Sequence, residues 1–220
     1  MPARLRPTAP IAADAILVGD PGRALMLAQA LLEQPKMSNH ARGLWGYTGV
    51  TADGHELTIQ ATGMGGPSAA VVLADLAELG VKRAIRVGTC ASLGGLHLGE
   101  LVVVEDAQGG LVSPAATKPP RPDPGLVQAM RDRLPEARGA SIVSLDTLYR
   151  PEWGLPSVLF DAADMQTAGL LASAAEHNVA AAAVLIVSEK SDSGQLRDEE
   201  LEEAAKRAGS AASGVLSTSG

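Results

Sequence analysis

The sequence predicts a single α/β domain over residues 1–220, with a central, mainly parallel or mixed β-sheet flanked by helices. Three observations carry that prediction. Short apolar runs alternate with segments whose apolar residues recur at helical spacing. No composition break or internal repeat divides the chain, and 220 residues suffice to bury a full core. The polar oddities gather where strands end, which is where open α/β sheets bind their ligands.

Taken in order, residues 1–12 carry no pattern of their own and read as a flexible or oligomer-contacting N-terminus. ADAILVGDPG, from Ala13, is an apolar strand running into a tight turn. Arg23 to Gln34 follows as a helix, with Asp20 as its cap and Pro21 at its first position. Asn39 to Gly49 reads as a loop, then Tyr47–Ala52 and Glu56–Ala61 as a hairpin around Asp53-Gly54. His55, beside that turn, is expected to be exposed and idle. Thr62–Ser68 is a Gly-rich turn, and Pro67 opens a helix to Leu79 that Gly80 terminates. Arg83–Gly88 is a strand leading through Gly-Thr-Cys into a Gly-rich loop ending at Gly95. Glu100–Ala107 is a strand and Ser113–Pro124, rich in proline, a surface excursion. Leu126–Leu134 is a short helix, Ala140–Leu145 a strand, and Thr147–Pro156 an irregular loop holding Tyr149 and Trp153. Asp161–His177 is a helix, Ala180–Val187 a central strand, and Asp198–Ala208 a helix with a solvated charged face.

Composition excludes several classes. With 25 acidic against 18 basic residues the net charge is −7, and no basic run exists for a nucleic-acid backbone. Cys90 is the one cysteine, so no internal disulfide forms and a reducing cytoplasm is compatible. The four histidines lie far apart, and neither CxxC nor HExxH occurs, so no metal site is legible. No signal-peptide core and no stretch of 18 apolar residues appears, so no membrane span is expected.

The candidate chemistry lies at four strand ends. An arginine in a buried strand, such as Arg86, needs an anion or a structural carboxylate, and the sequence leaves both open. Thr89 adds a hydroxyl, and the loop adds N–H groups suited to phosphate. Arg23 stands near the positive end of its helix, where a cation is disfavoured unless an anion lies between them. Gly63–Ser68 and Ser188–Glu189 complete the set. A small anionic substrate at the sheet's carboxyl edge accounts for all four.

Six motifs in order then carry a resemblance over about Ala15 to Glu189: GDPGRA, RGLWGYTG, TGMGGPSAA, IRVGTCASLGG, DMQTAGLLA and the VSE strand end. Together they resemble the nucleoside phosphorylase-I family, which contains hexameric bacterial purine nucleoside phosphorylase and uridine phosphorylase. The resemblance implies that fold and a phosphate site formed by Gly19, Arg23, Arg42, Arg86 and Thr89. It has Arg42 reaching a neighbouring subunit's site, hence self-association as a dimer or a trimer of dimers. It sets Met64 against the ribose and Cys90, Ala91, Leu148, Asp164, Met165, Gln166, Ser188 and Glu189 around the nucleoside.

The implied reaction is phosphorolysis of an N-glycosidic bond, with inorganic phosphate as co-substrate and no cofactor, by a cytoplasmic enzyme without nucleic-acid or membrane partners. Arg86 would stabilise charge and Glu189 would protonate the departing purine as the catalytic acid. Four positions depart from the family pattern. Glu189 replaces an aspartate, Asp164-Met165-Gln166 replaces Glu-Met-Glu, and Leu148 stands where an aromatic is frequent. Past Glu189, Arg197 is the nearest counterpart of the family's lid arginine. A purine-preferring phosphorylase is the leading expectation. A uridine phosphorylase, a hydrolytic nucleosidase and a catalytically impaired nucleoside- or phosphate-binding homologue are the alternatives.

Overall fold

The computed structural model describes residues 4–109, 120–150, 155, 157–190 and 194–218. Trp153 and residues 113–119 of the expected surface excursion lie outside them. In chain order the elements are β1 (Asp14–Val18), α1 (Pro21–Leu31), β2 (Glu33–Asn39), β3 (Gly46–Val50), β4 (Glu56–Ala61), α2 (Gly66–Glu78), β5 (Arg83–Ser92), β6 (Leu101–Gln108), α3 (Pro124–Arg133), β7 (Arg138–Ser144), β8 (Ala162–Asp164), α4 (Thr167–Glu176), β9 (Ala180–Lys190), β10 (Gly194–Gln195) and α5 (Asp198–Thr218).

The strands form one ten-stranded sheet in the order β10-β9-β6-β7-β8-β5-β1-β4-β3-β2. Because β9 also pairs with β5, the strands β5, β9, β6, β7 and β8 close into a ring, and β1, β4, β3 and β2 leave it as a wing. The β1–β4, β1–β5, β5–β9, β6–β7 and β7–β8 pairs are parallel. The other pairs are antiparallel, so the sheet is mixed rather than mainly parallel.

Alternating side chains feed opposite faces of the sheet. Ile16, Val18, Ile85 and Val87 join the core under α1, α3 and α5. Ala15, Leu17, Ala84 and Leu185 join the core under α2 and α4. Helix α5 outruns its expected end at Ala208 and reaches Thr218, its later turns buried through Ala208, Ala212 and Val215. Those small residues let it lie close to α1.

Three strands escape a reading based on alternation. β2 is a polar edge strand with irregular pairing to β3. β8 and β10 contain only three and two residues. The helix expected from Asp161 begins instead at Thr167, whose N–H donates to the Asp164 carboxylate at 3.0 Å. Asp164 is therefore the acidic start signal, three residues later than Asp161. β5 also runs on through Gly-Thr-Cys to Ser92, with an irregularity against β9 between Cys90 and Ala91. Bulges of that kind re-aim side chains beside binding sites.

The described part of the N-terminal segment is pinned rather than loose. Arg4 and Leu5 donate their N–H groups to the buried Asp75 carboxylate of α2 at 2.7 and 2.8 Å, and the Leu5 side chain is buried. His55 is not idle either: its Nε2 lies 2.9 Å from buried Asp14. Asp14 also accepts both the Nε and Nη2 donors of Arg83, whose Nη2 reaches the Leu216 carbonyl at the end of α5.

Candidate functional site

The C-terminal ends of parallel β1, β4, β5 and β9 converge and, with the start of α4, enclose a cavity of about 520 Å³. Every residue assigned from sequence to the phosphate and nucleoside sites lines it. Gly19 and Arg23 come from the β1–α1 turn, Met64 from the β4–α2 turn, and Arg86, Thr89, Cys90 and Ala91 from β5. Asp164, Met165 and Gln166 come from the β8–α4 junction, Leu148 from beyond β7, Ser188 and Glu189 from β9, and Arg42 from the 41–43 turn. Asp20 and Gly63, which fall within the strand ends singled out from sequence, also line it, as do Leu44 and Tyr149, to which sequence reasoning gave no site role. Tyr149 had a signal, as one of the chain's two tyrosines in an irregular loop after a strand.

At one end the polar groups are tied together. The Arg86 guanidinium is 4% exposed and lies over the bare backbone of Gly88, where a Cβ would come within 2.5 Å of its Cζ. Its Nε donates to Thr167 Oγ1 (3.2 Å), Nη1 to Gln166 Oε1 (2.7 Å) and Nη2 to Asp164 Oδ2 (3.0 Å). Asp164 accepts in addition from Ser144 Oγ, Thr167 N and Thr167 Oγ1. Its side chain has no exposed surface. Gln166 donates its amide to the Gly63 carbonyl and lies within 3.2 Å of Thr62 Oγ1. The two readings left open for Arg86 thus combine: it has a structural carboxylate and also faces the cavity. Three of its five N–H donors are used, leaving two. Asp164 is a fully engaged partner rather than a free acceptor for a nucleoside.

Arg23 differs. Its backbone N–H completes the Asp20 cap at 2.7 Å, as the Asp-Pro sequence predicts. Its guanidinium takes no ion pair or hydrogen bond among the described residues. Burial pushes its pKa down; Asp20 pulls it up and the Arg86 charge pushes it down further. Two guanidinium groups that repel one another in a partly dry cavity form a field that favours an anion. The Thr89 hydroxyl faces the same space, and exposed Arg42 lies at the rim with a left-handed backbone, φ 59°. For a non-glycine residue that conformation costs about 1–2 kcal/mol.

At the other end the groups are open. Glu189 and Tyr149 are half-buried, and with Ala91 they also line a second hollow of about 200 Å³. Met64 is 86% exposed and Leu148 68%. Ser188 Oγ donates to the Cys90 carbonyl at 3.4 Å. The Cys90 thiol is buried, and burial raises its pKa far above the usual thiol range, so it is no nucleophile here. Arg197, the lid candidate, lies outside the cavity lining and pairs with Glu200 at 2.7 Å.

Comparisons with known proteins supply the chain's family and a matching fold. The family model described as Phosphorylase superfamily matches residues 14–219. The DeoD-type purine nucleoside phosphorylase of Caldanaerobacter subterraneus is 34% identical over 205 residues, covering 84% of this chain and 86% of that protein. The DeoD-type protein of Bacillus cereus is 31% identical over 194 residues, covering 81% and 82%. The fold is similar to that of purine nucleoside phosphorylase from Toxoplasma gondii in complex with immucillin-H, with a TM-score of 0.82 at 24% identity over 94% of this chain and 93% of that one. On the extent of that family match and of the sequence identity, this chain belongs to the Phosphorylase superfamily.

Proposed function

We propose that this chain is a purine nucleoside phosphorylase, a pentosyltransferase that cleaves the N-glycosidic bond with inorganic phosphate. The observation that carries this reading is Arg23, whose half-buried guanidinium takes no ion pair or hydrogen bond among the described residues and lies beside the charge of Arg86. The names of the relatives, DeoD-type purine nucleoside phosphorylases, supply the substrate class.

Phosphate takes hydrogen bonds from Arg23, from the two unused donors of Arg86, from the Thr89 hydroxyl and from the Gly19 N–H. One phosphate oxygen forms the bond to C1′ while the C1′–N9 bond breaks and its electron pair departs with the purine. The sugar passes through an oxocarbenium-like state, which the anion held beneath it stabilises. Glu189 delivers a proton to N7 of the leaving base. No cofactor takes part; phosphate is the second substrate.

Arg42 reaches the phosphate of its own site or of a neighbouring subunit's. The exposed Met37, Trp45 and Val50 on the wing support self-association as a dimer or a trimer of dimers. The working compartment in this reading is the cytoplasm.

Incubation with inosine, adenosine or uridine, with and without phosphate, tests the reading. Phosphate-dependent release of a purine supports it. Release of uracil supports a uridine phosphorylase, and phosphate-independent release a nucleosidase. Binding without turnover supports an impaired homologue, a second reading that the engagement of Asp164 and Gln166 by Arg86 favours.

A further inference from the structure

We propose that Asn39 and Gln60 are positioning residues that preset the Arg42 turn for its anion. The inference rests on the phosphorylase reading and assigns a role to two residues outside the cavity lining. Two consecutive residues of the turn, Arg42 (φ 59°) and Gly43 (φ 70°), are left-handed, a shape that a non-glycine residue keeps only when its surroundings enforce it. The turn's own backbone bonds are few: Gly43 N to His40 O, long at 3.3 Å, and Leu44 N to Ala41 O at 3.1 Å.

The enforcing contacts come from two buried amides. Asn39 Nδ2 and Gln60 Nε2 both donate to the Leu44 carbonyl, at 2.5 and 2.9 Å. Asn39 is itself held by the Arg6 N–H on its Oδ1 at 2.9 Å, and its Nδ2 also approaches the Ala41 carbonyl at 3.4 Å. Gln60 Nε2 donates as well to the Ala61 carbonyl at 2.8 Å. Neither residue has any exposed surface.

Gln60 sits in β4 where an apolar residue would bury without penalty, and its Oε1 finds no hydrogen-bond partner among the described residues. An orphaned buried carbonyl is unfavourable, so the amide is not there for packing. Gly46 makes room for it, because a Cβ on Gly46 would overlap Gln60 Oε1. What Gln60 contributes is its N–H hold on the turn that carries Arg42.

The experiment measures kcat and the KM values for phosphate and purine nucleoside, with thermal melts. The proteins are the wild type, Arg42→Ala, Gln60→Met, Gly43→Ala and the double variant Gln60→Met/Arg42→Ala. A Cβ at Gly43 meets no heavy atom within 4 Å, so an alanine there strains the left-handed backbone without a clash inside the chain and keeps the test available if Gln60→Met fails to fold.

Gln60→Met is expected to raise the phosphate KM about tenfold, the scale of losing a preset population, with nucleoside KM unchanged. Gly43→Ala is expected to raise it about threefold. The double variant should be no worse than Arg42→Ala alone. Multiplying effects in the double variant would overturn the proposal, because Gln60 would then act without Arg42. So would an unchanged phosphate KM in Gln60→Met or Gly43→Ala. An unchanged phosphate KM in Arg42→Ala would overturn it too, while phosphate-dependent turnover of the wild type would leave the functional reading standing.

Discussion

The two ends of the cavity are built on opposite principles. Around Arg86 each buried polar group is met by another: Asp164 by Ser144 and Thr167, Gln166 by Gly63. Around Glu189 the side chains are half-buried or exposed, and Met64 and Leu148 stand largely in solvent. The first end is finished before any ligand arrives, which suits charge stabilisation because nothing must reorganise during reaction. The second end is completed by what binds to it. Arg23 belongs to the first end by position, but its guanidinium takes no ion pair or hydrogen bond among the described residues. That gap is why we propose the anion at this end.

The contrast breaks most visibly at Arg86. Arg86→Ala leaves Asp164 buried and unpaired, an arrangement that costs about 3–5 kcal/mol. We expect the melting temperature to fall by about 10 °C, with loss of turnover. An unchanged melt would show that the locked end is not locked. Arg23→Met comes next and has the opposite signature. It removes a half-buried cation that takes no ion pair among the described residues, so the melting temperature should hold or rise, while kcat/KM for phosphate falls at least about a hundredfold. A fall in both would make Arg23 structural.

Gln166→Glu probes the same end more gently. A carboxylate cannot donate to the Gly63 carbonyl, and orphaning it costs about 1–3 kcal/mol, read as a lower denaturant midpoint. A raised midpoint would mean that the Gly63 contact is not a real hydrogen bond. The Cys90 thiol, its pKa raised by burial, should react with a disulfide reagent at pH 8 only on unfolding. Rapid labelling of the native chain would contradict that burial. Smallest of all is Leu148→Ala at the open end. It should shift the melt by less than about 0.5 kcal/mol and nucleoside KM by less than about threefold.

The sequence carried more of the first end than of the second. Asp20-Pro21 marked the start of α1, and Arg86 in an apolar strand marked a partner requirement. Both are local signals of capping and of desolvation. The partner's identity was not legible, because Asp164 is 78 residues away and meets Arg86 only through the β5–β8 pairing. β2, β8 and β10 were missed for a related reason. A polar edge strand and strands of two or three residues have no apolar alternation to reveal them. Nor does spacing show that Gln60 and Asn39 converge on the Leu44 carbonyl, since Gln60 reads as part of a strand and Asn39 as the start of a loop.

Isothermal titration of phosphate into the wild-type protein and into Arg23→Met tests the central claim most directly. The account predicts saturable binding near one phosphate per chain for the wild type, and heats indistinguishable from dilution for the variant. Equal affinity in the two proteins would contradict it.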